Sequence, residues 1–245
     1  FSECSSLKKI PIPNSVKKIE NGSFKGCSSL EEISIPSSIK AIENDTFSNC
    51  AKLKQVSIPV SVSKIEDKAF FGCSSLNKLK IPDSVTSIGN STFSKCSSLY
   101  KISLQSVNSI GDFAFSDCIA LKKIKFTKNL KFIGKSAFSG CESLKYLFIP
   151  FSVVDIGNNA FNQCSSLELI SLPISTYSKK LNINKKTQIT YTNDSSDSYY
   201  QFGDILFRGD NVTMDRKLAI KYYKMAIDGG SEQAMLKYGN VLFTG

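Results

Sequence analysis

Residues 138–156 read Phe-Ser-Gly-Cys-Glu-Ser-Leu-Lys-Tyr-Leu-Phe-Ile-Pro-Phe-Ser-Val-Val-Asp-Ile, and the skeleton of this stretch returns along most of the chain. Its cysteine, Cys141, is one of eight, the others being Cys4, Cys27, Cys50, Cys73, Cys96, Cys118 and Cys164. Successive gaps are 23, 23, 23, 23, 22, 23 and 23 residues. A constant period in the range of roughly 20–50 residues marks stacked repeats. Phe stands three residues before every Cys, from Phe1 to Phe161, and Leu three after, from Leu7 to Leu167. Apolar residues recur six and eight after the Cys, Leu147 and Ile149 in the quoted copy. Pro follows in six of the eight copies, and Val153 and Ile156 head two further apolar columns.

The unit is therefore C-x2-L-x2-I-x-I-P-x2-V-x2-I-x4-F-x2-C. Its L-x2-I-x-I segment ends in a period-two apolar pair, which reads as a short strand. The Pro after it has no amide donor and suits a strand end. A single copy cannot bury its apolar set; stacking copies joins those sets into one core. The expected fold is a repeat solenoid of about eight 23-residue coils, with strands of adjacent coils paired in parallel at about 4.8 Å. The 22-residue gap comes from one residue lost between Leu104 and Val107, where Pro is also absent. That reads as a shortened turn in an unbroken ladder.

An even number of cysteines invites a disulfide framework, but the spacing argues for buried free thiols. Equivalent positions in stacked coils point the same way, and parallel side chains miss the torsion of roughly 90° that a bridge needs. A buried free Cys behaves as a small hydrophobe. A zinc site is disfavoured, since no C-x2-C pair is present.

The 245 residues carry 31 Lys plus Arg against 21 Asp plus Glu, a formal charge of +10, and no His. Histidine-dependent hydrolysis, metal binding and pH switching are thereby excluded. No phosphate loop, nucleophile elbow or paired-carboxylate motif is present, so neither an enzyme nor a cofactor is expected. Apolar runs stay well short of the ~18 residues of a membrane span. The first residue is Phe1 with no leader pattern after it, so any targeting segment is expected outside this stretch.

If the repeat's paired Ile residues point inward, their neighbours face solvent. Five residues after the Cys, the column contains Lys78, Lys101, Lys123 and Tyr146; seven after, it contains Lys80, Lys125 and Phe148. Tyr100 lies beside this strip. These eight residues are the candidate protein-binding surface, since aromatic anchors dominate binding energy. The plainer alternative is that the lysines keep an exposed sheet soluble. Nucleic-acid binding is disfavoured: through residue 178 there are 21 basic against 14 acidic residues, a mild +7, with no recognition motif. Sequons at Asn21, Asn44, Asn90, Asn193 and Asn211 are either glycosylation sites or a product of the repeat's Asn/Ser/Thr-rich loop.

After Leu172 the phase is lost. Residues 177–197, rich in Ser, Thr, Asn and Lys, read as an edge segment and linker. From residue 198 to 245 the apolar period nears 3.6. Tyr199, Phe202, Leu206 and Phe207 mark one helix. Asp215 caps a second with Leu218, Ala219, Tyr222, Tyr223 and Ala226, stopping at Gly229-Gly230. Ser231 caps a third with Ala234, Leu236, Tyr238, Val241 and Leu242.

Residues 1–176 closely resemble BspA-like leucine-rich repeats, best seen in Ile133-Gly134-Lys135-Ser136-Ala137-Phe138 and Ile156-Gly157-Asn158-Asn159-Ala160-Phe161. Early copies depart by carrying Glu20, Glu43 and Glu66 where later ones have Gly. The resemblance implies a curved solenoid, often on microbial cell surfaces, that adheres to host or matrix proteins. Phe202-Gly203-x2-Leu206-Phe207-x-Gly209 recurs 36 residues on as Tyr238-Gly239-x2-Leu242-Phe243-x-Gly245. With Ala219-Ile220-Lys221-Tyr222-Tyr223-Lys224, this resembles Sel-one-like repeats, relatives of the tetratricopeptide repeat that scaffold protein complexes. Here Gly209-Asp210-Asn211-Val212 replaces one Gly of the usual loop. The function implied is a non-catalytic interaction or adhesion scaffold at the cell surface or outside the cell; a cytoplasmic adaptor is the alternative.

Overall fold

The structure, a computed structural model, describes residues 1–176, 181–192, 195–210 and 212–244. Two strands mark each turn from the second to the seventh. In chain order they are β1 (Glu32–Ser34), β2 (Ala41–Ile42), β3 (Gln55–Ser57), β4 (Lys64–Ile65), β5 (Lys78–Lys80) and β6 (Ser87–Ile88). Then come β7 (Lys101–Leu104), β8 (Ser109–Ile110), β9 (Lys123–Phe126), β10 (Phe132–Ile133), β11 (Tyr146–Phe148), β12 (Asp155–Ile156) and β13 (Leu169–Pro173). The result is a parallel β-solenoid of about seven turns, followed by three helices. Odd-numbered strands are the expected L-x2-I-x-I segments. The two-residue even-numbered strands form a continuous six-stranded sheet on another side of the coil.

The first repeat, without a strand of its own, joins the stack through the Glu31 amide, which donates to the Lys8 carbonyl at 3.0 Å. Odd-strand pairing is parallel and in register but interrupted between β3 and β5 and between β9 and β11. The even-strand ladder passes through the 22-residue repeat intact, with Ser87 opposite Ser109 and Ile88 opposite Ile110.

Phe and Cys organise the interior. From Phe1 to Phe161 consecutive rings stack with centroids 5.2–5.9 Å apart and planes within 2–17° of parallel. Phe47 to Phe161 are fully buried. Each Phe amide from Phe24 to Phe138 donates to a carbonyl of the next turn, as Phe70 does to Thr92 at 2.9 Å. The cysteines are free thiols, all buried except Cys4. Each buried thiol also donates to the carbonyl of the preceding turn's Phe, Cys50 to Phe24 at 3.0 Å and Cys96 to Phe70 at 3.2 Å. Burial pushes the Cys50, Cys96 and Cys164 thiols up to about 12, so they remain protonated donors at neutral pH.

The turns approach one another closely where Gly replaces Glu. A Cβ on Gly134 would stand 2.5 Å from the Asp112 amide nitrogen, and one on Gly157 2.3 Å from that of Lys135. The later turns therefore admit only Gly at this phase without a backbone shift.

Beyond β13, the segment expected as edge and linker contains strand β14 (Gln188–Thr192), parallel to β13 with Ile170 opposite Ile189 and Leu172 opposite Tyr191. No Phe or Cys announces it, yet Leu181, Ile183 and Tyr191 close that end of the core. The helices are α1 (Ser195–Arg208), α2 (Arg216–Asp228) and α3 (Glu232–Thr244). Asp215 accepts from the Leu218 amide at 2.8 Å and Ser231 from that of Ala234 at 3.3 Å, the two expected caps. On α3 the apolar stripe is only partly packed: Ala234 is buried, while Leu236 and Leu242 are exposed.

Phe70→Ala in mid-stack is expected to cost about 3–5 kcal/mol, measured by chemical denaturation. Alkylation of the native protein should label Cys4 rapidly and the seven buried thiols only on unfolding. Denatured but unreduced protein should take up label at all eight positions; a smaller number would contradict the free-thiol ladder.

Candidate functional site

Strands β1, β5 and β7 bury their central residues, Ile33, Leu79 and Ile102, and turn the flanking ones outward. Register then sets the surface. Lys78 lies opposite Lys101, and Lys101 opposite Lys123; Lys80 lies opposite Ser103, and Ser103 opposite Lys125. All five lysines are exposed, and none forms an ion pair among the described residues. Tyr100, 45% exposed, stands at the entry of β7, where its carbonyl accepts from the Lys122 and Lys123 amides. The structure thus brings Lys78, Lys80, Tyr100, Lys101, Lys123 and Lys125 onto one face.

The same face is treated differently in the first turns. There Lys9 pairs with Glu32 at 2.5 Å and Lys54 with Glu31 at 3.4 Å. The face has two shallow depressions there, bordered by residues such as Lys9, Glu31, Glu32, Gln55 and Ser57. Among the described residues no group of His, Cys, Asp or Glu is placed to hold a metal ion, and no helix is long and apolar enough to cross a membrane.

Tyr146 and Phe148, expected as an exposed aromatic pair, are covered by the chain's own helices. Phe148 packs on Tyr199 of α1 at 4.5 Å between centroids, meets Phe202 edge-on at 5.6 Å, and lies 5.8 Å from Tyr222 of α2. Leu169, one turn further, is fully buried with Phe202, Leu206 and Ala219. The Tyr146 hydroxyl donates to the Thr213 carbonyl at 2.7 Å, and Glu168 accepts from the Thr213 amide at 2.7 Å while pairing with Lys145 at 3.2 Å. Burial, with the neighbouring Glu168, pushes the Tyr146 hydroxyl up to about 12. Burial opposes ionisation of Glu168, but the Thr213 and Lys145 hydrogen bonds prevail and hold its carboxyl below the ordinary value. This latch contributes stability above the usual carboxylate range and loses it as pH falls through the lowered value.

Sequence reasoning missed Glu168, Thr213, Tyr199, Phe202 and Tyr222 as partners of this end of the face. One trace of the cover was available: the column five after Cys changes from Lys123 to Tyr146 to Leu169. At the sequons, Asn44 and Asn90 accept from the amides of Asp67 and Asp112 in the next turn, at 3.0 and 2.8 Å. Thr46 and Thr92 are buried. These contacts give the Asn and Thr columns a structural role. Asn193 and Asn211 lie outside the described residues.

In-register turns of 23 residues with an open strand face define a leucine-rich-repeat solenoid. The chain belongs to the family described as BspA type leucine rich repeat region, whose model matches residues 1–106 and 98–213. Family and fold are typically non-catalytic scaffolds. A leucine-rich repeat protein from Bacteroides ovatus is similar at 30% identity and a TM-score of 0.56, over 80% of this chain and 54% of its own. The leucine rich repeat protein of T. pallidum is 33% identical, with a TM-score of 0.56, over 60% of this chain and 69% of its own. The chain thus spans about half the length of the first of these relatives. No curated protein sequence matches it.

Phe148→Ala should loosen α1 and α2 from the sheet by about 1.5–3 kcal/mol. Hydrogen exchange should then show at least a tenfold loss of protection in those helices, with the amides of the Phe stack unchanged. Unaltered helix protection would show that the ring does not hold them.

Proposed function

We propose that this chain is a non-catalytic scaffold that offers its open strand face, the odd-numbered strands β1 to β9, to a protein partner at the cell surface or outside the cell. The observation that carries this reading is the strip of five lysines, without ion pairs among the described residues, beside the exposed Tyr100 ring, held in register on a backbone that the Phe and Cys columns keep rigid. Tyr146 and Phe148 belong instead to the internal contact that closes one end of the face. The surface location rests on the resemblance to surface-antigen repeats.

A second reading, an adaptor that also binds through its helices, draws on α3. The helices are proposed to be Sel-one-like: Gly203 of α1 lets α2 approach to within 3.1 Å of a Cβ position, at the Ala219 carbonyl. Asp204 ties the three helices together, accepting from Tyr223 at 3.1 Å and from Arg208, and pairing with Lys237 at 3.4 Å. At the matching position of α3, a Cβ on Gly239 would meet no atom of another element within 4 Å among the described residues.

A photo-crosslinking residue at Gln55 or Tyr100, on the strand face, should give adducts with a matrix or host-surface protein. The same residue at Ser87, on the even-strand sheet, should give none. Equal labelling from all three sites, or none from the face, would remove the reading. Biotinylation of intact cells should label the protein if it is surface-exposed; protection until lysis would favour the adaptor.

A further inference from the structure

We infer that the lysine strip binds an acidic segment of a polypeptide, an assignment that rests on the strand face being the binding surface. Lys78, Lys101 and Lys123 form a column across neighbouring strands, spaced by about 4.8 Å. Lys80 and Lys125 form a second column with Ser103 between them, displaced by two residues, about 6.5 Å. The footprint, about 10 Å by 7 Å, matches a short run of carboxylates.

Like charges directly opposite one another weaken a sheet. The first turns avoid that cost with Lys9–Glu32 and Lys54–Glu31 pairs, and with Ser34 and Ser57 at the neighbouring outward positions. The fold therefore does not require an unneutralised cluster; an incoming anion explains it. Lysine ammoniums are compact charges on flexible stems and meet carboxylates without a fixed planar geometry.

The borders of the strip decide which anion. On one side lie Gln55 and Ser57 of β3, and beyond them Glu31 and Glu32, which Lys54 and Lys9 already pair. On the other, the helices cover the face at Tyr146 and Phe148, and Glu168, 3.4 Å from the Tyr146 hydroxyl, is paired with Lys145. A long, uniformly charged polymer, such as a nucleic acid or sulfated glycan, therefore meets unneutralised lysines under only a short part of its length. A polypeptide with acidic residues confined to a short run carries its charge only where those lysines lie. Tyr100 supplies an exposed aromatic surface for the neutral residues flanking that run.

The test uses a fluorescein-labelled peptide of five consecutive glutamates flanked by glycine and serine, titrated with the full chain and read by anisotropy. Lys101→Glu with Lys123→Glu should weaken binding at least tenfold, as should added salt. Lys40→Glu with Lys52→Glu, away from the strip, should leave it within twofold. Lys101→Gln should weaken binding while raising the melting temperature by about 1–2 °C at low salt; a lowered melting temperature would show that the charge supports the fold instead. Equal peptide binding by the strip variant, or an oligonucleotide or heparin outcompeting the peptide at equal charge, would overturn the acidic-polypeptide assignment. If crosslinks from Gln55 and Tyr100 persist in that case, the binding face stands and only its partner class falls; loss of both removes the face as well.

Discussion

The hydrogen bond from each buried thiol to the Phe carbonyl one turn back is the contact around which the solenoid is arranged. That carbonyl already accepts the amide of the Cys three residues on, as Phe24 does from Cys27 at 3.1 Å, and the thiol of the next turn fills its second acceptor position inside the core. The thiol is small enough to fill the space and polar enough to satisfy the acceptor. Above it the Phe ring stacks on the next ring, and the Phe amide reaches the next turn's carbonyl. A change at either residue disturbs packing and hydrogen bonding in two neighbouring turns. Cys and Phe therefore recur together.

Because the interior is occupied by this repeated pair, the outward positions of β1 to β9 take no part in the core. Glu32, Gln55, Lys78, Lys101 and Lys123 occupy one column on equivalent backbone, and their chemistry differs freely. Specificity on this face is thus written in side chains alone, on a surface whose spacing is set from beneath. The helices use the same freedom differently. Where the column turns to Tyr146 and Leu169, the face stops being a surface and becomes a second, smaller core.

The repeated features were legible in the sequence because eight copies average out local ambiguity: Phe, Cys, Leu and Ile columns emerge however each loop varies. The even-numbered strands were not, since Ala41–Ile42 or Ser87–Ile88 is too short to display any period. Strand β14 escaped because Gln188–Thr192 carries the alternation without the Phe and Cys that gave every earlier strand its phase. The helix caps at Asp215 and Ser231 were readable, being local. The contact of Phe148 with Tyr199 and Tyr222 joins residues 51 and 74 positions apart, and no local pattern encodes such a meeting. For the lysine strip, residue identity and phase were enough to place the charges together, while their lack of carboxylate partners among the described residues depends on how the turns stack.

Each turn bonds to the turn before it and the turn after it, and to little else. Removing or duplicating one whole 23-residue unit among the inner turns would leave the Phe amides and Cys thiols with equivalent acceptors. The molecule is thus a chain of interchangeable links whose reach can lengthen or shorten in steps of one strand spacing. Gain or loss of such a unit would move the charged patch toward or away from the helical cap, giving a lineage new geometry without having to rediscover how to fold.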